Sequence, residues 1–154
     1  MKKRIFFYHF IKKKPIHYFG SFDKNYILKS VKITFPKLIN KIYFKSKKIE
    51  IFKFDNLKLN IKPHFIKIDV EGFDHFVIEG LKKTINKHKP VILIEYNVEN
   101  FNKVSKMLKN YDKYIYDIKI DKLVKIKKNF FQKNIARTSK INLLSSRNIY
   151  FIPK

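Results

Sequence analysis

The sequence predicts an α/β fold with parallel strands, finishing in hairpin-like strands. Three observations carry this. Apolar residues alternate at period two in "KIEIFKF" and "FIKIDV", shift to helical spacing from Phe73, and return as a continuous run in "VILIEY" after Pro90. Strand, helix, strand in that order is the unit from which parallel sheets are built.

The elements follow in chain order. "MKKRIFFYHFIKKKP" has the outline of a signal sequence, but its apolar run, Ile5 to Ile11, spans seven residues, contains a histidine and ends in three lysines. It lacks a small-residue cleavage site and reads as a strand. In "KKIEIFKFDNL", Ile49 and Ile51 alternate with Phe52 and Phe54 on the other face, predicting a short strand that ends at Asp55. "FIKIDV" places Ile66, Ile68 and Val70 on one face and Lys67 and Asp69 on the other. Beyond the turn at Glu71 and Gly72, Phe73, Phe76, Val77, Leu81 and Ile85 form one helical face, with Glu79 and Lys83 as an outward i,i+4 pair. "VILIEY" suits a strand buried on both faces. A helix follows through Phe101, Val104, Met107 and Leu108, and then "KYIYDIKI", "KLVKI" and "NIYFI" are strand-like. The polar stretch Gln132 to Arg147 suggests no element.

No repeat and no Gly/Ser linker interrupts the 154 residues, and the five prolines (15, 36, 63, 90 and 153) fall at element edges. With 45% hydrophobic residues, residues 1–154 are expected to form a single domain with a real core. No stretch approaches the ~18 apolar residues of a membrane span. The chain has no cysteine. Disulfides and thiolate chemistry are therefore excluded, and a reducing, cytoplasmic setting fits.

The formal net charge of +24 raises the possibility of nucleic acid. The residue types argue otherwise. Lysine outnumbers arginine 33 to 3, and arginine is the side chain suited to bidentate contact with phosphate and guanine. No specific nucleic-acid partner is expected, although non-specific attraction to polyanions is.

The acids are unevenly placed. Between His64 and Glu99 there are six acids and five lysines, a net of −1, whereas the rest of the chain has six acids against 31 Lys and Arg, a net of +25. Ligands of open α/β sheets bind at the carboxyl ends of the strands. Asp69 ends one strand with Glu71 two residues on, Glu95 ends the next, and Asp55 ends the one before. Asp74 is read as complementing a helix N-terminus and Glu79 as pairing with Lys83. Asp69, Glu71 and Glu95 are the candidates for function. Three such oxygen ligands could hold a divalent cation, but no spacing makes that specific, and no metal is expected.

The segment "FIKIDVEGFDHFVIEGLKKTINKHKPVILIEYN" resembles the diagnostic stretch of FkbM-type methyltransferases: a strand ending K-I-D-V-E-G, an acid, a helix, and a second strand that begins after K/R-P and ends in Glu. The likeness is strongest over residues 49–97 and in the terminal strand, 147–153. Asp74 stands where Glu is more usual, and Leu81 where a small residue is common. The resemblance implies part of a doubly wound, Rossmann-like methyltransferase sheet and an S-adenosylmethionine-dependent O-methylation of a sugar or other hydroxyl-bearing natural product. It makes Asp69 and Glu71 the catalytic candidates on the acceptor side, with His75 and Glu95 as substrate-binding groups. A carboxylate near the hydroxyl serves as general base, and one near a sulfonium stabilises positive charge.

The family's cofactor half begins with a strand and a glycine-containing turn, where the cofactor comes close to the backbone. Here the glycines are Gly20, Gly72 and Gly80, and none has that context. Gly80 instead suggests a helix lying close to the sheet. The chain is expected to resemble the carboxyl-terminal portion of the enzyme, as a truncated product, a remnant, or one piece of a split enzyme whose upstream half is its partner. Without that half the strand Phe65 to Val70 becomes a sheet edge, to be covered by Ile5 to Ile11 or by another chain. The alternative function is a non-catalytic basic binding protein that retains the fold fragment.

Overall fold

The computed structural model describes residues 2–11, 14–96, 98–126 and 145–154. The chain divides into two compact units, Met1–Phe52 and Lys53–Lys154.

The first unit is a three-stranded antiparallel sheet and one helix. Strand β1 (Lys2–Ile11) lies between β2 (Lys14–Ser21) and β3 (Ile42–Ile51). The β1–β3 ladder runs unbroken from Lys2 opposite Ile51 to Ile11 opposite Ile42. Ile5 to Ile11 is therefore a strand, as its composition predicts, but both its edges are taken within this sheet. It does not pair with the Phe65 strand. Helix α1 (Lys24–Thr34) starts at Asp23, whose carboxylate accepts from the Asn25 N–H at 2.8 Å, an ordinary N-cap. Ile27 and Val31, one turn apart, form its buried face.

The second unit holds a five-stranded sheet in the order β4-β5-β8-β6-β7. Its strands are β4 (Phe65–Ile68), β5 (Val91–Glu95), β6 (Tyr111–Asp117), β7 (Lys122–Lys125) and β8 (Ser145–Pro153). β4 and β5 are parallel, with Ile66 opposite Ile92 and Ile68 opposite Ile94. The ladders β5–β8, β8–β6 and β6–β7 are antiparallel. The expected architecture thus appears as a mixed α/β fold with one parallel strand-helix-strand unit; β6 and β7 form an antiparallel hairpin, but the last strand, β8, inserts between β5 and β6, and the parallel order does not extend beyond the β4–β5 pair among the described strands. Of the unassigned stretch Gln132 to Arg147, residues 145–147 belong to β8 and the remainder lies outside the described residues.

The core of this unit collects Ile68, Ile92, Ile94, Ile149 and Phe151 from the sheet, with Ile78, Ile85 and Val104 from the helices and Leu81 and Leu108 at their ends. β5 sits inside the sheet, and Ile92 is fully buried. β4 is the edge. Ile68 is buried there, while Phe65 and Lys67 are exposed. This matches the alternation in the sequence.

Four sequence expectations give way between β3 and β5. β3 stops at Ile51, and Phe54–Asn56 forms a 3-10 turn, so Asp55 does not end a strand. Its carboxylate instead accepts from the Lys83 N–H at 2.7 Å, the Thr84 N–H at 3.1 Å and the Thr84 hydroxyl at 2.7 Å. Those two N–H groups would bond one turn back in a continuous helix. With Asp55 competing for them, the predicted helix breaks at Leu81 into α2 (Asp74–Gly80) and α3 (Lys82–His88). Burial opposes the charge on Asp55, but the Thr84 hydroxyl, the two N–H groups and the Lys83 charge outweigh it and hold this carboxyl below its usual value. Glu79 pairs with Lys53 at 2.8 Å rather than with Lys83. What lies over Gly80 is the backbone of Lys53 and Phe54, not the sheet, and an added Cβ there would sit 3.6 Å from Lys53 Cα, an ordinary contact.

Candidate functional site

The carboxyl end of β4 runs into a tight turn. Phe73 N–H donates to Val70 C=O at 3.2 Å, and both central residues have positive φ, 50° at Glu71 and 92° at Gly72. Glycine adopts that geometry freely. Glutamate does so at a cost of about 1 kcal/mol. Lys58, Lys89 and Asp121 share the positive φ, so strain alone does not single out Glu71. Its position at the end of a parallel strand does.

Asp69, just before the turn, is about half exposed, and Lys67 Nζ lies 3.1 Å from its carboxylate. Because Ile68 is in register with Ile94, the next residues along the two parallel strands are Asp69 and Glu95. They leave the sheet on adjacent strands, which lie about 4.8 Å apart. Glu95 also lines a small cavity with Tyr96, Asn100, Phe101, Val104 and Phe151. The rings of Tyr96 and Phe101 meet edge to face at 5.6 Å, and burial pushes the Tyr96 hydroxyl above its usual value.

Beneath the turn lies a buried polar network that the sequence reading did not single out. Helix α4 (Val98–Met107) directs Asn100 toward the turn. The Asn100 side-chain amide donates to Asp74 Oδ2 at 2.8 Å and to the Gly72 carbonyl. Its oxygen lies 2.6 Å from His75 Nδ1, which places the proton on that ring nitrogen. Asp74 and Asn100 are 3% and 5% exposed. One side chain thus ties the turn to the start of α2 through the Gly72 carbonyl, Asp74 and His75. His75 is consequently anchored at one nitrogen, and its ring lies 4.1 Å from that of Phe76.

The signal for this network was present. Asn100 stands four and eight residues before Val104 and Leu108, on the stripe that α4 buries, and Asp74 stands four before Ile78 on the buried face of α2. Two polar residues on facing apolar stripes require each other. Asp74 does head α2, as its placement suggested, but it is buried and bonded to Asn100 rather than exposed to solvent.

Burial raises the Asp74 carboxyl above 3.8, against the pull of its own N–H and the Asn100 amide, with a smaller upward push from the Asp69 charge. A raised folded-state value means that this group's contribution to stability is fully present below the unfolded value and is lost as pH rises through the folded one. In Asp74→Asn the amide oxygen can still accept from Asn100, and the titration is removed. Chemical denaturation over a pH series should therefore show wild type losing stability relative to Asp74→Asn as pH climbs from about 4 toward neutrality. A difference independent of pH would mean that Asp74 carries no such penalty.

The chain thus carries Asp69 and Glu71 in the loop after β4 and His75 in the first turn of α2, sets Glu95 at the neighbouring strand end, and leaves Asp55 as the cap of α3. Among the described residues, no three His, Asp or Glu side chains are grouped to hold a metal ion. Nor do the described residues fit the adenosine part of S-adenosylmethionine, which needs backbone left bare for close approach. A Cβ on Gly20 would run into the Phe6 ring, Gly72 forms the turn with its carbonyl bonded to Asn100, and Gly80 is buried against Lys53. All three glycines are engaged inside the chain. No helix among the described residues is long and apolar enough to cross a membrane.

No curated protein and no solved structure matches the chain. The sequence model of the Methyltransferase FkbM domain matches residues 18–118. That span contains the whole β4–turn–α2–α3–β5 unit and reaches upstream of the strongest motif residues to Tyr18, while the final strand lies beyond it. With the motif and the larger part of its length matched, the chain belongs to the FkbM methyltransferase domain family.

Proposed function

We propose that this chain supplies the acceptor side of a methyl transfer to a hydroxyl group, on a sugar or another hydroxyl-bearing natural product. A second polypeptide supplies the half that binds S-adenosylmethionine, the donor the family generally uses. The observation that carries this reading is the exposed Asp69 carboxylate at the carboxyl end of β4, beside the end of β5 that carries Glu95, within a family of methyltransferases.

Asp69 would accept the proton that the acceptor hydroxyl gives up as the hydroxyl oxygen is methylated, the donor on the second polypeptide losing its S–CH3 bond and leaving as a neutral thioether. The Lys67 ammonium lies 3.1 Å from the Asp69 carboxylate and fixes its position at the strand end. Glu71, in the turn two residues on, supplies a second carboxylate that orients the acceptor's other hydroxyls. His75, with its proton fixed on Nδ1 by Asn100, offers Nε2 as a hydrogen-bond acceptor. Glu95 accepts from the far side.

Transfer of an isotopically labelled methyl group, with the donor-binding polypeptide present, tests the acceptor class. Label should appear on sugars and polyols as base-stable ethers. Label on amines or carboxylates would replace the hydroxyl assignment. Absence of transfer to every acceptor class would favour the non-catalytic binding protein, for which the basic charge would be the working feature.

A further inference from the structure

We propose that the β4 edge, with the segment leading into it, is a docking site for an extended segment of a partner polypeptide in which apolar and acidic residues alternate. This does not depend on the methyl-transfer reading. β4 pairs with β5 on one side, and no described strand pairs with the other. Upstream, Leu59 to Pro63 belong to no helix or strand, and no backbone hydrogen bond joins them to the rest of the described residues. Apart from Pro63, which has no N–H, each of these residues has a backbone donor and acceptor without a partner in the described structure. Along the sequence from Leu57, apolar and polar residues alternate at every second position. Leu57, Leu59, Ile61 and Phe65 are each about half exposed, with Lys58 and Lys62 interspersed and exposed.

Edges of soluble proteins are usually short, charged or covered. This one is short and carries Lys67, yet it is prolonged by apolar residues that nothing described covers. Strand addition meets both needs at once: main-chain bonds satisfy the edge, and alternate pockets take the partner's apolar side chains. Charge decides the occupant. A second copy would bring another +24 and set lysines against lysines, whereas acidic side chains on the partner meet Lys58, Lys62 and Lys67. A membrane surface would match the charge and the apolar side chains but would not complete the backbone bonds.

The test uses the full chain with an end-capped octapeptide alternating valine and glutamate, its valine–lysine counterpart, and the valine–glutamate peptide N-methylated at alternate residues. Binding is followed by NMR and amide exchange. The acidic peptide should bind saturably below millimolar concentration and slow exchange within residues 59–68, while the other two peptides should not. Lys58→Glu with Lys62→Glu should weaken binding by about tenfold or more, as should Leu59→Asp with Ile61→Asp. All four residues are exposed, so unchanged thermal unfolding is expected to accompany the loss. Failure of the acidic peptide to bind, equal binding of all three peptides, self-association by light scattering that protects the same amides, or protection by anionic vesicles without any by peptide would each overturn the proposal.

Discussion

Replacing Asn100 with alanine should cost the Lys53–Lys154 unit about 3 kcal/mol or more, the largest loss expected of any single side chain in the site. Asn100 is 5% exposed and serves three partners, and its removal strips a donor from Asp74 and the Gly72 carbonyl and an acceptor from His75 Nδ1. Each buried polar group left without a partner costs about 1–3 kcal/mol. Water can enter the space and recover part of this. Asn100→Asp should be worse still near neutral pH, since it sets a second carboxylate beside Asp74. The comparison variant is Ser105→Ala, on the same helix. The Ser105 hydroxyl is buried with no partner among the described residues, so its loss should change stability little. Urea unfolding separates the two, and amide exchange should show residues 72–76 losing protection first in Asn100→Ala. Equal stability of the two variants would remove the network from this account.

Asp69→Asn should lower turnover of the methyl-transferring complex by roughly a hundredfold or more, in the range of a lost general base. The change preserves size. Its ion-pair partner is Lys67, and both are about half exposed, a pairing worth less than about 1 kcal/mol. Stability should therefore stay near wild type while turnover falls, a separation that Asn100→Ala cannot give. Glu71→Gln and Glu95→Gln serve as comparisons, expected to weaken acceptor binding more than the chemical step. Turnover unchanged in Asp69→Asn and lost in one of the others would move the base to that residue.

Much of the second unit was legible because its patterns are local. The alternation of Ile66 and Ile68 and the apolar run after Pro90 each follow from the periods of strand and helix. What escaped depends on contacts distant in sequence. Asp55 caps a helix 28 residues later, and nothing in "KFDNL" shows that its carboxylate ends on the Lys83 and Thr84 N–H groups. The split of one helix into two follows from that contact. The partner of β1 was likewise invisible, since a strand's own residues say that it pairs and not with which neighbour. The order of the five-stranded sheet shows the same limit. β8 inserts antiparallel between β5 and β6, although nothing in the sequence of β8 names β5 as its neighbour. Asn100 was legible in principle, as a polar residue on a buried stripe.

The central claim is that this chain contributes acceptor-side carboxylates and does not itself hold the methyl donor. Calorimetric titration of the purified chain with S-adenosylmethionine tests it most directly. The account predicts no measurable heat of binding at micromolar to submillimolar donor, because none of Gly20, Gly72 and Gly80 leaves backbone bare for it. Saturable micromolar binding by the chain alone would contradict the account.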